Sequence, residues 1–240
     1  MCGRYVTPAQ AEIERLYRVD RSNSKSRLQF GSEALTANYN VTPSTAVPVV
    51  RAIRDRQGER ELLEMRWGLV PFWAKGMAPT YSTINATIEK LISAPTWRGP
   101  WRRGQRCIMP CSGFYEWHEN ADGGKTPYYI YPSGDAELFS MAAIWDESTS
   151  NAGETIVSCA IITLPANELL ARIHNAKPRM PAILEESDID CWLSGTPEQA
   201  MTVLNQYPAE LMRAHAVSKR VNSPKNNGPA LIQPLPHAAA

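Results

Sequence analysis

The 240-residue chain lacks any apolar run near the roughly eighteen residues that a membrane-spanning helix needs. It lacks net charge as well: 25 Lys and Arg against 24 Asp and Glu leave +1. A molecule-wide polycation is excluded, so nucleic-acid binding would have to come from a local patch. Five cysteines, an odd number in a chain this long, do not make a disulfide framework. Cys107 and Cys111 form a C-x3-C pair, but neither Cys159 nor Cys191 has a paired partner, so no metal and no other cofactor is expected. The chain shows no repeat and no low-complexity block. Its start, Met1-Cys2-Gly3-Arg4, has no apolar signal core, which predicts a cytoplasmic protein.

Core-forming material is ample. Apolar residues make up 43% and charged residues 20%, which excludes wholesale disorder. Nineteen prolines cut the chain into short elements. A helix is expected over 7–18, with Thr7 as N-cap and Pro8 at its first position. Residues 20–38 read as a loop with a short helix, 41–54 as a strand interrupted by prolines, 62–69 as another strand, and 81–89 as a loop opening a helix. Residues 106–109 and 114–118 read as paired strands, followed by a turn at 120–124 and strand 127–131. Strands follow at 138–145 and 155–163, then helices at 167–173, 187–192 and 197–206. Val217 and Leu231-Ile232 would add edge strands. Strands outnumber helices and come in hairpin-like runs, so an α+β fold with a mostly antiparallel, barrel-like β core flanked by short helices is expected. No linker is visible: residues 1–234 would form one domain and 235–240 a disordered tail.

The residue after the initiator methionine is the first functional candidate. Methionine before a small side chain is usually removed, which would expose Cys2 as an N-terminal residue. Its α-amine, with an unperturbed pKa of about 7.7–8.0, is partly neutral near pH 7. A neutral amine adds to an aldehyde to give a Schiff base. The neighbouring thiol can then close a five-membered thiazolidine, an intramolecular step favoured by proximity. The same group can serve as an N-terminal nucleophile for amide hydrolysis.

Three polar residues are candidates for assisting it. Asn85 stands at an expected loop-to-helix junction, where it either caps the helix or orients the amine or a sugar. Glu116 lies in Gly113-Phe114-Tyr115-Glu116-Trp117. Strand alternation puts it on the face of Phe114, where desolvation would raise its pKa into the range useful for proton transfer; a buried ion pair is the other reading. His174, between an apolar helix and Pro178-Arg179-Met180-Pro181, either bonds within the structure or donates a proton that helps open a sugar ring. The segment 97–106 holds Arg98, Arg102, Arg103 and Arg106 with Trp97 and Trp101 and no acid. It is either a solvated basic face over buried indoles or a stacking platform for single-stranded nucleic acid. Phe72-Trp73 with Lys75 would be a second platform, and Arg4 could hold a phosphate. No helix-turn-helix or zinc finger is present to read a duplex.

Several ordered blocks together resemble the SOS-response-associated peptidase (SRAP) family, the abasic-site processing proteins. They are Met1-Cys2-Gly3-Arg4-Tyr5, Tyr39-Asn40-Val41-Thr42-Pro43, 66–73 (Arg66 to Trp73), Asn85-Ala86 with Glu89, and 110–117 (Pro110 to Trp117). Ile161-Ile162-Thr163, Ile173-His174, Arg179-Met180-Pro181 and Val221-Asn222 also fit. The resemblance implies a sensor of abasic sites in single-stranded DNA that crosslinks to them through mature Cys2; a groove-binding monomer is the default expectation. Its active-site partners would be Asn85, Glu116 and His174, with Arg4, Trp73, Thr163 and Arg179 where DNA contacts are expected. Removal of Met1 by the protein itself, slow lyase activity and association with the nucleoid when on DNA belong to the same expectation. Two departures stand out. Thr87 occupies a position where the family often has arginine, and the step from His174 to Arg179 is longer than in the shorter family form. A cysteine peptidase acting through Cys2 and His174, and a non-covalent single-strand binder, are the rival readings.

Overall fold

A computed structural model describes residues 2–19, 35–54, 56 and 58–236. In chain order the elements are β1 (Tyr5–Thr7), α1 (Gln10–Tyr17), β2 (Asn38–Val41), β3 (Ala46–Ala52), β4 (Arg60–Trp67), β5 (Asn85–Thr87), α2 (Ile88–Leu91) and α3 (Pro95–Arg102). They continue as β6 (Arg106–Cys111), β7 (Gly113–Glu119), β8 (Lys125–Pro132), β9 (Phe139–Thr149), β10 (Thr155–Pro165) and α4 (Glu168–Ile173). The last are β11 (Arg179–Pro181), β12 (Ile183–Leu184), α5 (Ile189–Ser194), α6 (Pro197–Thr202) and β13 (Met212–Ala216).

Five strands close on themselves in the order β10-β4-β3-β6-β9 and back to β10, giving the β-barrel core of an α+β fold. The longest strands, β9 and β10, are near-continuous apolar runs, as strands covered on both faces must be. They pair antiparallel from Thr155↔Thr149 to Ile161↔Ala143. β10 also makes the two parallel pairings, with β4 and with β5, in a sheet otherwise antiparallel. β11 and β12 extend the barrel sheet. A second sheet, ordered β13-β8-β7-β1-β2, packs beside it. The main core fills the barrel and the space between the sheets. A smaller cluster of Val6, Tyr115, Tyr129, Val217 and Val221 lies on the other side of the second sheet. The alternation read from the sequence holds: Phe114 joins the first cluster, while Tyr115 and Trp117 join the second.

Several expectations need correction. Thr7 does not cap α1; it ends β1, because Tyr5–Thr7 pairs with β2 and β7, and the cap position falls to Ala9 without a side-chain bond. Strands 106–111 and 113–119 are not partners. β6 belongs to the barrel and β7 to the second sheet, with the crossing made at Ser112-Gly113. A Cβ on Gly113 would lie 2.4 Å from the Tyr129 ring, so only glycine allows this close handover. Residues 41–54 are not one strand: a turn separates β2 from β3. Asn85–Thr87, read as loop, is recruited as strand β5 by β10. Leu231-Ile232 forms a 3-10 turn rather than an edge strand, and β13 supplies the edge instead. Leu235, placed in the tail, donates its amide to the Ala216 carbonyl. The expected helix inside 20–38 and the tail residues 237–240 fall mainly outside the described residues.

Candidate active site

Cys2 precedes β1 and is 1% exposed. Four hydrogen bonds fix this end of the chain. The Asn85 Nδ2 donates to the Cys2 carbonyl at 2.9 Å. The Tyr115 amide donates to the Arg4 carbonyl at 2.9 Å. The Arg4 Nη1 donates to Asn40 Oδ1 at 2.8 Å and to the Val221 carbonyl at 2.6 Å. Asn85 reaches Cys2 because β5 lies parallel to β10, Asn85 beside Ile161. Its Oδ1 is buried with no partner among the described residues, an acceptor available to an amine.

Glu116 comes from β7, on the same face as Phe114. It is 3% exposed, and burial pushes its carboxyl up to about 7, against the opposing pull of the positive amino terminus. His174 ends α4 and is also buried. Its Nε2 lies 3.8 Å from Glu116 Oε2 and its Nδ1 3.5 Å from the Arg179 carbonyl. An acid and an imidazole at that distance would ordinarily draw one another into the charged forms. Burial works the other way on both, raising Glu116 and lowering His174. The desolvation cost prevails, and near neutral pH the pair is a carboxyl group at its midpoint beside a neutral imidazole. Burial, then the nearby Glu116, push the Cys2 thiol well above its usual range, so it is a neutral thiol rather than a thiolate.

The structure therefore brings together the four residues singled out for chemistry, Cys2, Asn85, Glu116 and His174. Beside them Arg179 forms a two-pronged ion pair with Glu89, at 2.7 and 3.1 Å, and donates to the carbonyl of Thr163 at 2.6 Å. Thr163 itself is fully buried, Arg179 half-buried. Trp73 is 45% exposed, next to exposed Phe72, Met77 and Tyr81. Arg98 and Arg102 are exposed on α3, but the platform reading of this segment is overturned. Trp97 and Trp101 are the buried face of α3, Trp101 packs on Trp192, and neither indole can stack on a base. Periodicity explains it: 97 and 101 are one helical turn apart. Arg106 is buried as well, donating to the carbonyls of Trp192 and Gly195. Two residues that hold the site went unassigned in the sequence, Asn40 and Val221. Both lie in blocks that carry the resemblance, but their contacts span up to 217 positions, so no local pattern shows what they hold. Among the described residues no group of three or more His, Cys, Asp or Glu is placed to hold a metal, and no helix is long and apolar enough to cross a membrane.

A barrel-cored α+β protein with a buried residue-two cysteine, gripped by an amide and faced by a carboxyl–imidazole pair, defines a class built around its own amino terminus. The family model for SOS response associated peptidase (SRAP) matches residues 1–224, and the chain belongs to that family. It is 35% identical to the abasic site processing protein YoqW of Bacillus subtilis, over 97% of this chain and 99% of that one. It is 33% identical to the abasic site processing protein HMCES of Gallus gallus, over 98% of this chain and 78% of that one. A solved protein from Bacteroides thetaiotaomicron, 26% identical, superposes with a TM-score of 0.80 over 98% of this chain and all of the other.

Proposed function

We propose that this protein acts in the DNA damage response by binding abasic sites in single-stranded DNA and joining them covalently through Cys2. The observation that carries the reading is the juxtaposition at Cys2: its carbonyl is gripped by Asn85 and its thiol is neutral, beside a carboxyl group that titrates at about 7.

The chemistry follows from those states. Removal of Met1 frees the Cys2 amine. An abasic deoxyribose exchanges between a closed hemiacetal and an open aldehyde, and neutral His174 favours opening by donating to the ring oxygen. The amine attacks C1′, and the carbinolamine loses water to an imine, with Glu116 giving and taking the protons. The thiol then adds across the C=N bond: sulfur bonds to C1′ and the thiol proton passes to nitrogen. The net reaction releases one water. Because the thiol is neutral, the amine leads and the thiol follows, with Glu116 as its base. Asn85 holds the terminus in line. Arg4, Arg98, Arg102 and Arg179 supply cationic charge and Trp73 a stacking surface, so affinity is salt-dependent. The adduct shields the lesion from strand cleavage and error-prone bypass. An imine that escapes ring closure drives β-elimination, the origin of a slow lyase activity. The protein works as a monomer in the cytoplasm, at the nucleoid when on DNA.

A peptidase working on other proteins through Cys2 and His174 fits less well. It calls for a thiolate facing an imidazolium, whereas burial drives both groups neutral. The test is an intact-mass spectrum of the protein mixed with an abasic oligonucleotide. The expected product has the summed masses less one water and survives high salt. Cys2→Ala keeps the amine but can form only a hydrolysable imine, so it is expected to give no adduct that survives denaturation. A denaturation-resistant adduct of that mass in Cys2→Ala overturns the assignment.

A further inference from the structure

Arg4 stands two residues after the nucleophile, and its guanidinium has an unusual set of partners. It is half-buried, and no carboxylate pairs with it among the described residues. Among the described residues only its Nη1 is engaged, by the side chain of Asn40 and the carbonyl of Val221. Its Nε is buried without a partner. A partly desolvated cation with donors to spare and no acid beside it is a group awaiting an anion.

Asn40 holds it that way. The residue is 4% exposed in β2 and uses both ends of its amide. Its Oδ1 accepts from Arg4. Its Nδ2 reaches the carbonyls of Val221 at 3.4 Å, Ser223 at 2.9 Å and Asn226 at 2.8 Å. The strap 218–227 is tied down further by Trp117 Nε1 on Asn222 Oδ1, 2.9 Å, and by the Tyr39 amide on Asn227 Oδ1, 2.8 Å. One side chain thus fastens a C-terminal segment and the N-terminal arginine to the same strand. A carboxylate at position 40 would neutralise Arg4; an apolar residue would release it. The amide is the group that orients the guanidinium and leaves its charge unspent.

We propose that Asn40 is a positioning residue for DNA: its amide sets Arg4 against the strap 218–227 so that the donors left on Arg4 take a backbone phosphate beside the abasic sugar. This rests on the crosslinking function proposed above, but its test does not need the covalent step. In a Cys2→Ala background, equilibrium binding of an abasic single strand is measured against salt concentration. Asn40→Ala is expected to weaken binding about tenfold, the size of one charge-assisted hydrogen bond, and to lower the slope of log K against log salt by about one phosphate. Asn40→Asp keeps the side-chain shape and is expected to lower the slope equally, by pairing with Arg4. Adding Arg4→Ala to Asn40→Ala should then change little, since both act through one contact. A residue with a merely structural role would lower the melting temperature and leave the slope unmoved. Wild-type slopes in Asn40→Asp, or additive losses in the double variant, overturn the proposal. Failure of the wild-type protein to form an adduct would count against the crosslinking reading alone.

Discussion

Two buried carboxylates, one in each sheet, have different surroundings. Asp146, on β9, is 2% exposed and takes three donors: Arg103 Nη2 at 2.8 Å, and the amides of Phe72 and Glu147 at 3.0 Å each. Glu116, on β7, is 3% exposed and faces an imidazole at 3.8 Å, with its carboxyl raised to about 7. Equal burial therefore does not mean an equal role. A carboxylate enclosed by donors is a fastener: it ties the turn at Phe72 to the barrel. A carboxyl balanced between its protonation states is a tool, because it can hand over a proton and take one back at neutral pH.

Substitution should separate the two. Glu116→Gln is expected to slow adduct formation about 10²–10⁴-fold while the protein stays folded, read as single-turnover rates on a denaturing gel. A variant at the wild-type rate in both directions would remove Glu116 from the chemistry. Asp146→Ala should do the reverse. Two amides and an arginine lose their acceptor, at a cost of about 3 kcal/mol, or roughly 6–12 °C in melting temperature, while the folded fraction reacts at the wild-type rate. A stable but slow Asp146→Ala would erase the contrast.

The pH dependence of stability sharpens the same comparison. Glu116 titrates at about 7 folded against an ordinary 4.5. Between those values the unfolded chain loses its proton first, so stability falls as pH rises from about 4.5 to about 7 and is level above. The fall is on the order of 3 kcal/mol and should vanish in Glu116→Gln. His174, lowered by burial, has the opposite sign: stability rises as pH climbs to about 6.5, and this part should persist in the variant. Denaturant melts at pH 5 and pH 8 measure both. Last, Trp73→Ala should cost about 1–3 kcal/mol of single-strand affinity with little change in melting temperature, whereas Trp101→Ala should lower the melting temperature. Equal DNA affinities for Trp73→Ala and wild type would remove Trp73 from the strand path.

Much of the site was legible because its signals are local. The position of Cys2 needs only counting, and the desolvation of Glu116 follows from period-two alternation with Phe114. The apolar runs of β9 and β10 are plain to read. Pairing was less legible. Residues 106–118 look like a hairpin, but the pairings put β6 and β7 in different sheets, a handover that Gly113, crowded against Tyr129, makes possible. Three-residue β5 has no propensity of its own; β10 supplies its partner. The basic segment misled because arginine and tryptophan at helical spacing place the indoles inward. Asn40 stood in a block that carries the resemblance, but its role was not legible, since it joins Arg4, 36 positions away, to carbonyls more than 180 positions away.

Closure of the barrel between β3 and β6 rests on a single register pair, Val50 with Ile108, whereas β9 and β10 run side by side for seven pairs. The ring thus has a weak stitch and a strong hem. Local opening is expected to favour the stitch, so amide exchange along β3 and β6 should outpace that along β9 and β10. Asn85 is anchored to the hem through β10, which would insulate the reacting end from slackness elsewhere.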